Sequence, residues 1–241
     1  WERDKKIKVF CKTNQINWIE SQRDGIVRGI KNRKDWNKKW FQIMHSSVFQ
    51  NKYAISKEIR LDHPFLIPLK LESQLKDYPN QFQPPGEKNA WKYLRSFTNQ
   101  RGFNYQRHIS KPMESRISCS RLSPYLAWGN MSVRQAFQFI GTHPNGIKNS
   151  RAFSSMLTRL YWRCHFIQKF EMECRYETEC INIGYEILSH EKNELFIKAW
   201  KTGTTGYPLI DACMRAVEST GWINFRTVSY THLTLPTILL V

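Results

Sequence analysis

The stretch Cys119-Ser120-Arg121-Leu122-Ser123-Pro124 joins small polar side chains to a fixed positive charge. Ser123 is a good helix N-cap, and Pro124 is preset for the first helical position. Free N–H groups at a helix start, two serine hydroxyls and a guanidinium together make a phosphate site. A plain capped helix begins with the same letters, so this stretch does not decide alone. In a second stretch Arg159 and Arg163 stand one turn apart, and Trp162 and Phe166 share the same interval. A basic pair beside an aromatic stripe suits a stacked cofactor or a base; arginines lying along a core helix would look the same. In a third stretch Gly203-Thr204-Thr205-Gly206 breaks a helix and Pro208 opens the next. There Asp211 and Arg215, four apart, are expected to form an ion pair, with Asp211 structural rather than catalytic.

The elements that position these groups read mostly as helices. Arg3 to Asn14 has Ile7, Val9 and Phe10 as its apolar positions, and Ile16 to Glu20 reads as a short strand. Gly25 to Gly29 is a turn, and Trp36, Trp40 and Phe41 recur at helical spacing as core positions. Five prolines between 45 and 85 mark a surface linker. Ala90, Trp91, Leu94 and Phe97 give the next helix its apolar face. Gly129 to Ser132 breaks the pattern with a new N-cap, and His143-Pro144-Asn145-Gly146 turns the chain. Ser150 to Cys174 is the longest helical pattern, with apolar residues on more than one face. Gly221 ends the helix opened by Pro208 as a C′ glycine.

Composition narrows the partners. Among 241 residues, 37 Lys and Arg against 20 Asp and Glu leave a charge of +17, which favours a polyanion, nucleic acid first and an anionic membrane surface second. A hydrophobic share of 41% excludes a disordered chain. The six cysteines form no C-x-x-C pair, so neither a zinc site nor a disulfide framework is indicated; Cys164, Cys174 and Cys180 are read as buried, unligated thiols. No apolar run reaches membrane-spanning length. The chain opens on Trp1 inside a helical pattern and is expected to be a fragment.

In this order and spacing the three stretches, with Ser219-Thr220-Gly221-Trp222, resemble the photolyase/cryptochrome flavoprotein family. The run Trp200 to Arg215 is the most specific, since the family carries W-x-x-G-x-T-G-Y-P-x-x-D-A-x-M-R there. The resemblance covers roughly Gly86 to Arg226. It implies a mainly α fold, the first half of an all-helical FAD-binding domain, preceded by the C-terminal remnant of an α/β antenna domain. The expected divisions are 1–44 for that remnant, 45–85 for the linker, 86–227 for the partial helical domain and 228–241 for a foreign tail. The tail departs from helical periodicity and reads as a translated sequencing adapter.

The resemblance also distributes roles. Tyr105, Cys119, Ser120, Arg121, Leu122, Ser123, Arg163 and Trp222 fall on cofactor-binding positions. Cys119 replaces the family's threonine and exchanges a strong hydroxyl donor for a weak thiol. Arg159, Trp162, Phe166, Asn224 and Phe225 fall on the substrate or DNA side, with Trp162 packing against a flipped-out dimer. Repair members usually carry a glutamate where Arg159 stands and an asparagine where Phe225 stands. No residue here is assigned catalysis, because the flavin does the chemistry, and no metal is implied. The expected activity is light-driven splitting of pyrimidine dimers in UV-damaged DNA by a cytoplasmic monomer with no membrane role, with room for a second antenna chromophore in the full-length protein. A cryptochrome-type blue-light receptor without repair is the alternative. A non-photochemical basic helical module is the third reading.

Overall fold

The computed structural model describes residues 2–21, 24–49, 66–189 and 192–228, and the chain divides into two compact units. The first comprises Trp1–Ser46 and Leu126–His190. It contains α1 (Glu2–Thr13), α2 (Trp36–His45), α8 (Val133–Thr142) and α9 (Ser150–Met172). The second comprises Ser47–Tyr125 and Glu191–Val241. It contains α3 (Leu69–Lys76), α4 (Glu87–Ser96), α5 (Tyr105–His108), α6 (Pro112–Ser118), α10 (Glu194–Thr202) and α11 (Pro208–Thr220). The division falls within α7 (Ser123–Ala127).

In the first unit α2 packs on α8 and α8 on α9. Trp36, Trp40 and Met44 are buried, while Phe41, expected with them, stays half exposed. Val133, Ala136 and Ile140 come from α8; Phe153, Met156, Leu160 and Cys164 form the inward stripe of α9. Trp40 meets Phe137 and Tyr161 edge-on, at centroid distances of 5.4 and 5.1 Å. Gln138 donates to the carbonyls of Met44 and Ser46, both at 2.7 Å, and so satisfies the C-terminal end of α2. The expected N-cap before α8 is present: Ser132 and Gln135 form a reciprocal capping box.

The turn at 24–29 is tied to helices by side chains. Fully buried Gln168 of α9 accepts from the Val27 N–H at 2.7 Å and donates to the Val27 carbonyl at 2.9 Å, as a neighbouring strand would. Trp36 donates its indole N–H to the Gly25 carbonyl. Gly25 has φ +70°, and an added Cβ would sit 2.7 Å from the Trp40 ring.

The strand expected at Ile16–Glu20 is not formed, and no strand occurs among the described residues. A lone extended segment has no neighbour to take its N–H and C=O groups, so no ladder closes. The helix at Glu2–Thr13 is present, but Val9 and Phe10 remain exposed and Cys11 alone is buried on it.

The 45–85 stretch contains α3, whose leucines are exposed; residues 50–65 lie outside the described residues. In the second unit Ala90, Leu94 and Phe97 bury the expected face of α4, which runs into a π-helical turn at Phe97–Arg101. α10 and α11 pack on each other across the turn at Gly203, which has φ +62°. A Cβ there would come 2.7 Å from the Asp211 carbonyl, so this close turn requires glycine. Gly221 ends α11 in the left-handed conformation, as expected. Of the tail, 229–241 lies outside the described residues.

Candidate functional site: an anion cradle and an aromatic helix face

The residues assigned to one site fall in both units, and each group is built separately. In the second unit the loop Cys119–Ser123 follows α6. Arg101 fixes it from the π-helical turn. The Arg101 guanidinium donates to the carbonyls of Ile117 (2.5 Å), Cys119 (2.7 Å), Tyr93 (3.0 Å) and Ser120 (3.4 Å), and its Nε to Ser96 Oγ (2.9 Å). The first two loop carbonyls, those of Cys119 and Ser120, are therefore taken up on one cation. Among the described residues, the N–H groups of Ser120, Arg121, Leu122 and Ser123 donate to no acceptor. Four free amides with the hydroxyls of Ser120 and Ser123 form a donor set without a carboxylate, which fits the diphosphate of a dinucleotide. The helix begins at Ser123 itself rather than one residue later, so Ser123 is its first residue rather than its N-cap. The cradle rests on the loop amides.

Arg121 has φ +62°, a conformation that costs a non-glycine residue about 1–2 kcal/mol. Its Nε donates to Gln83 Oε1 at 2.7 Å, while Gln83 Nε2 donates to the Arg121 carbonyl at 2.8 Å. Its guanidinium carbon lies 4.3 Å from the centroid of Trp222, a cation–π contact. The structure thus brings two predicted cofactor residues, Arg121 and Trp222, into contact. Burial pulls both Arg101 and Arg121 below the ordinary arginine value, and each lies in the positive field around this loop. Burial pushes the Cys119 thiol up to about 11, so at neutral pH it is an uncharged, weak donor.

The other predicted residues of this unit are structural in their contacts. Tyr105 is buried with its ring edge-on to Phe97 at 5.6 Å. Asn224, read as a substrate contact, is buried: its Nδ2 donates to Ser115 Oγ at 2.6 Å, and its Oδ1 caps the next turn by accepting from the N–H groups of Arg226 and Thr227. Phe225 is half exposed beside Arg226. Among the described residues Asp211 makes no salt bridge with Arg215, whose charge acts on it only as the smallest of the influences lowering its pKa. It accepts from the Thr205 N–H (2.8 Å), the Thr205 hydroxyl (2.6 Å) and the Gly206 N–H (3.0 Å), which locks the turn between α10 and α11. Those bonds to the charged form, the Thr205 hydroxyl first, hold its pKa below the usual aspartate value.

In the first unit, α9 turns an aromatic and basic face outward. Trp162 and Phe166 are 43% and 58% exposed, with centroids 5.5 Å apart, and His165 sits 5.4 Å from each ring. The Arg33 guanidinium lies against the His165 ring, where the one unprotonated ring nitrogen of the neutral imidazole can accept from it. Burial, then Arg33 and Lys169, lower the His165 pKa. Arg159 is half-buried on the same helix. Arg163, assigned to the cofactor, donates to Asp24 Oδ2 at 2.8 Å and to the Leu126 carbonyl at 3.4 Å, with the Asp24 side chain only 5% exposed. It is a part-buried ion pair tying the 24–29 turn to α9.

Sequence reasoning missed Arg101, Gln83 and Asp24. Asp24-Gly25 signals a turn, but nothing local marks the partner of any of the three. Of the cysteines, Cys164 is buried as expected, whereas Cys174 is half-buried and Cys180 exposed. No cluster that could hold a metal and no helix long and apolar enough to cross a membrane occurs among the described residues.

The second unit carries the anion cradle and the first the outward aromatic face, and the described residues are helical throughout their regular structure. The comparisons with known proteins point to a class. A family model describing the FAD binding domain of DNA photolyase matches residues 156–240, a span that includes most of the segment set apart at 228–241. Deoxyribodipyrimidine photo-lyase of Alkalihalophilus pseudofirmus is 34% identical over 145 residues, covering 58% of this chain and 28% of the relative. Cryptochrome-2 of Arabidopsis thaliana is 34% identical over 155 residues, covering 59% and 24%. The archaeal photolyase from Sulfolobus tokodaii, solved with two FAD molecules, aligns with 97% of this chain and 50% of its own at TM-score 0.64 and 25% identity. Over these spans the chain is similar to photolyases and cryptochromes, and it spans well under half the length of these two curated relatives.

Proposed function

We propose that this chain carries part of the FAD site and the lesion-facing helix of a light-driven DNA photolyase. The outward face of α9 supports this reading most directly, since exposed Trp162 and Phe166 in a chain of charge +17 suit a flipped base held on a phosphate backbone. The donor set of Ser120 to Ser123 would hold the FAD diphosphate, and Trp222 would line the flavin. When bound and reduced, FAD supplies the light-driven electron that splits a pyrimidine dimer. The residues of this chain bind, orient and exclude water around it. On this reading 86–227 is part of the FAD-binding domain, 1–44 derives from an antenna domain that would carry a second chromophore, and the full-length protein works on UV-damaged DNA as a cytoplasmic monomer.

The second reading is a cryptochrome-type blue-light receptor. Arg159 and Phe225 favour it, because they stand where repair members usually carry glutamate and asparagine. Illumination of the full-length, FAD-loaded protein with an oligonucleotide containing one pyrimidine dimer separates the two. Restoration of the undamaged strand supports repair; a photoreduced flavin with no change in the lesion supports the receptor.

A further inference from the structure

We infer that Gln83 is a positioning residue for the anion cradle, holding Arg121 in its left-handed conformation so that the amides of Ser120 to Ser123 converge on a diphosphate. The inference rests on the reading of this loop as the diphosphate site. Gln83 bonds Arg121 at both ends of its amide: its carbonyl oxygen takes the Arg121 Nε–H at 2.7 Å, and its amide N–H meets the Arg121 main-chain carbonyl at 2.8 Å. Side chain and backbone of the one strained residue of the loop, at φ +62°, are thus fixed by a single amide. Arg101 takes the neighbouring carbonyls of Cys119 and Ser120. Between them the two side chains occupy three successive loop carbonyls and leave the amides to a ligand. With its Nε committed to Gln83 and its guanidinium carbon over the Trp222 ring, Arg121 keeps its terminal nitrogens for an anion; among the described residues their one bond is a 3.5 Å contact to the Arg116 carbonyl.

The segment that carries Gln83 does not depend on this amide for its own place. The Tyr78 hydroxyl donates to the Gln83 carbonyl at 2.6 Å and the Tyr125 hydroxyl to the Pro84 carbonyl at 2.8 Å. Phe82 lies against Gly221. Truncating the Gln83 side chain should therefore leave the segment seated and release only Arg121.

The test uses the full-length protein stripped of flavin and titrated with FAD, with ADP as a probe bearing the diphosphate and with riboflavin as a probe bearing none. Gln83→Ala should weaken FAD and ADP about tenfold, the loss of one such positioning bond pair, and leave riboflavin unchanged. Arg121→Gly takes the left-handed conformation freely, so adding Gln83→Ala to Arg121→Gly should cause no further loss of ADP affinity. Full additivity of the two, or equal weakening of ADP and riboflavin by Gln83→Ala, overturns the inference while leaving the loop as the diphosphate site. Unchanged ADP and FAD affinity in both Arg121→Ala and Gln83→Ala overturns that reading of the loop, and the inference with it.

Discussion

Arg101 is the residue on which the cradle's shape depends most, and its removal gives the sharpest test. Arg101→Ala deletes four bonds of 3.0 Å or less, two of them at 2.5 and 2.7 Å to the carbonyls of Ile117 and Cys119. Ile117 lies in the last turn of α6, where helical carbonyls have no partner of their own. A hydrogen bond to a charged group contributes ~1.5–3 kcal/mol. The desolvation of the half-buried guanidinium offsets part of the sum, and the four bonds share one cation, so they do not add. A net loss of about 3 kcal/mol follows from the two shortest bonds. For a chain of this size, that corresponds to a fall in Tm of roughly 6–12 °C. Arg101→Lys keeps the charge but not the fork, and should recover less than half of the loss. Far-UV circular dichroism melts of the three proteins provide the assay, with flavin retention as a second readout. A Tm within about 2 °C of wild type for Arg101→Ala would mean that water replaces the guanidinium at these carbonyls, and the account of the loop would fail.

Three further outcomes are expected. Trp162→Ala should cost ~1–3 kcal/mol in binding dimer-containing DNA while leaving the Tm nearly unchanged, because the side chain is 43% exposed; equal losses on damaged and intact duplex, measured by fluorescence anisotropy, would place Trp162 in the core instead. Asp211 has a lowered folded-state pKa, so its contribution is complete above the ordinary aspartate value of 3.8 and is lost as pH falls through the lower folded value; Asp211→Asn should lower the Tm at neutral pH and flatten its decline on acidification, and an unchanged acid limb would refute the lock on Thr205 and Gly206. Cys119 and Cys164, both pushed up to about 11 by burial, are roughly one-thousandth thiolate at pH ~8; iodoacetamide followed by peptide mass mapping should label exposed Cys180 first, and early labelling of Cys119 would show that its loop opens.

What the chain by itself determined is the set of features decided within a few residues. Ser132 and Gln135 form their box, Gly203 and Gly221 take left-handed φ, and Pro208 opens α11, because each depends on backbone geometry inside one turn. The periodic apolar faces of α2, α4 and the inner stripe of α9 were legible for the same reason. Family motifs reached further and named the cradle and the aromatic face. Their partners came only from the tertiary structure. Arg163 finds Asp24 across 139 residues, Gln168 finds Val27 across 141 and Arg121 finds Gln83 across 38. The strand at Ile16–Glu20 failed on the same ground, since a strand exists only by its neighbour. Asp211 shows that even a near choice can be tertiary: the close turn at Gly203 presents three donors to its carboxylate, and these outcompete an arginine one turn along an exposed helix face. A polar side chain's type states what it can bond. Which groups are desolvated beside it, and hence which bond is worth forming, is fixed only when the helices pack.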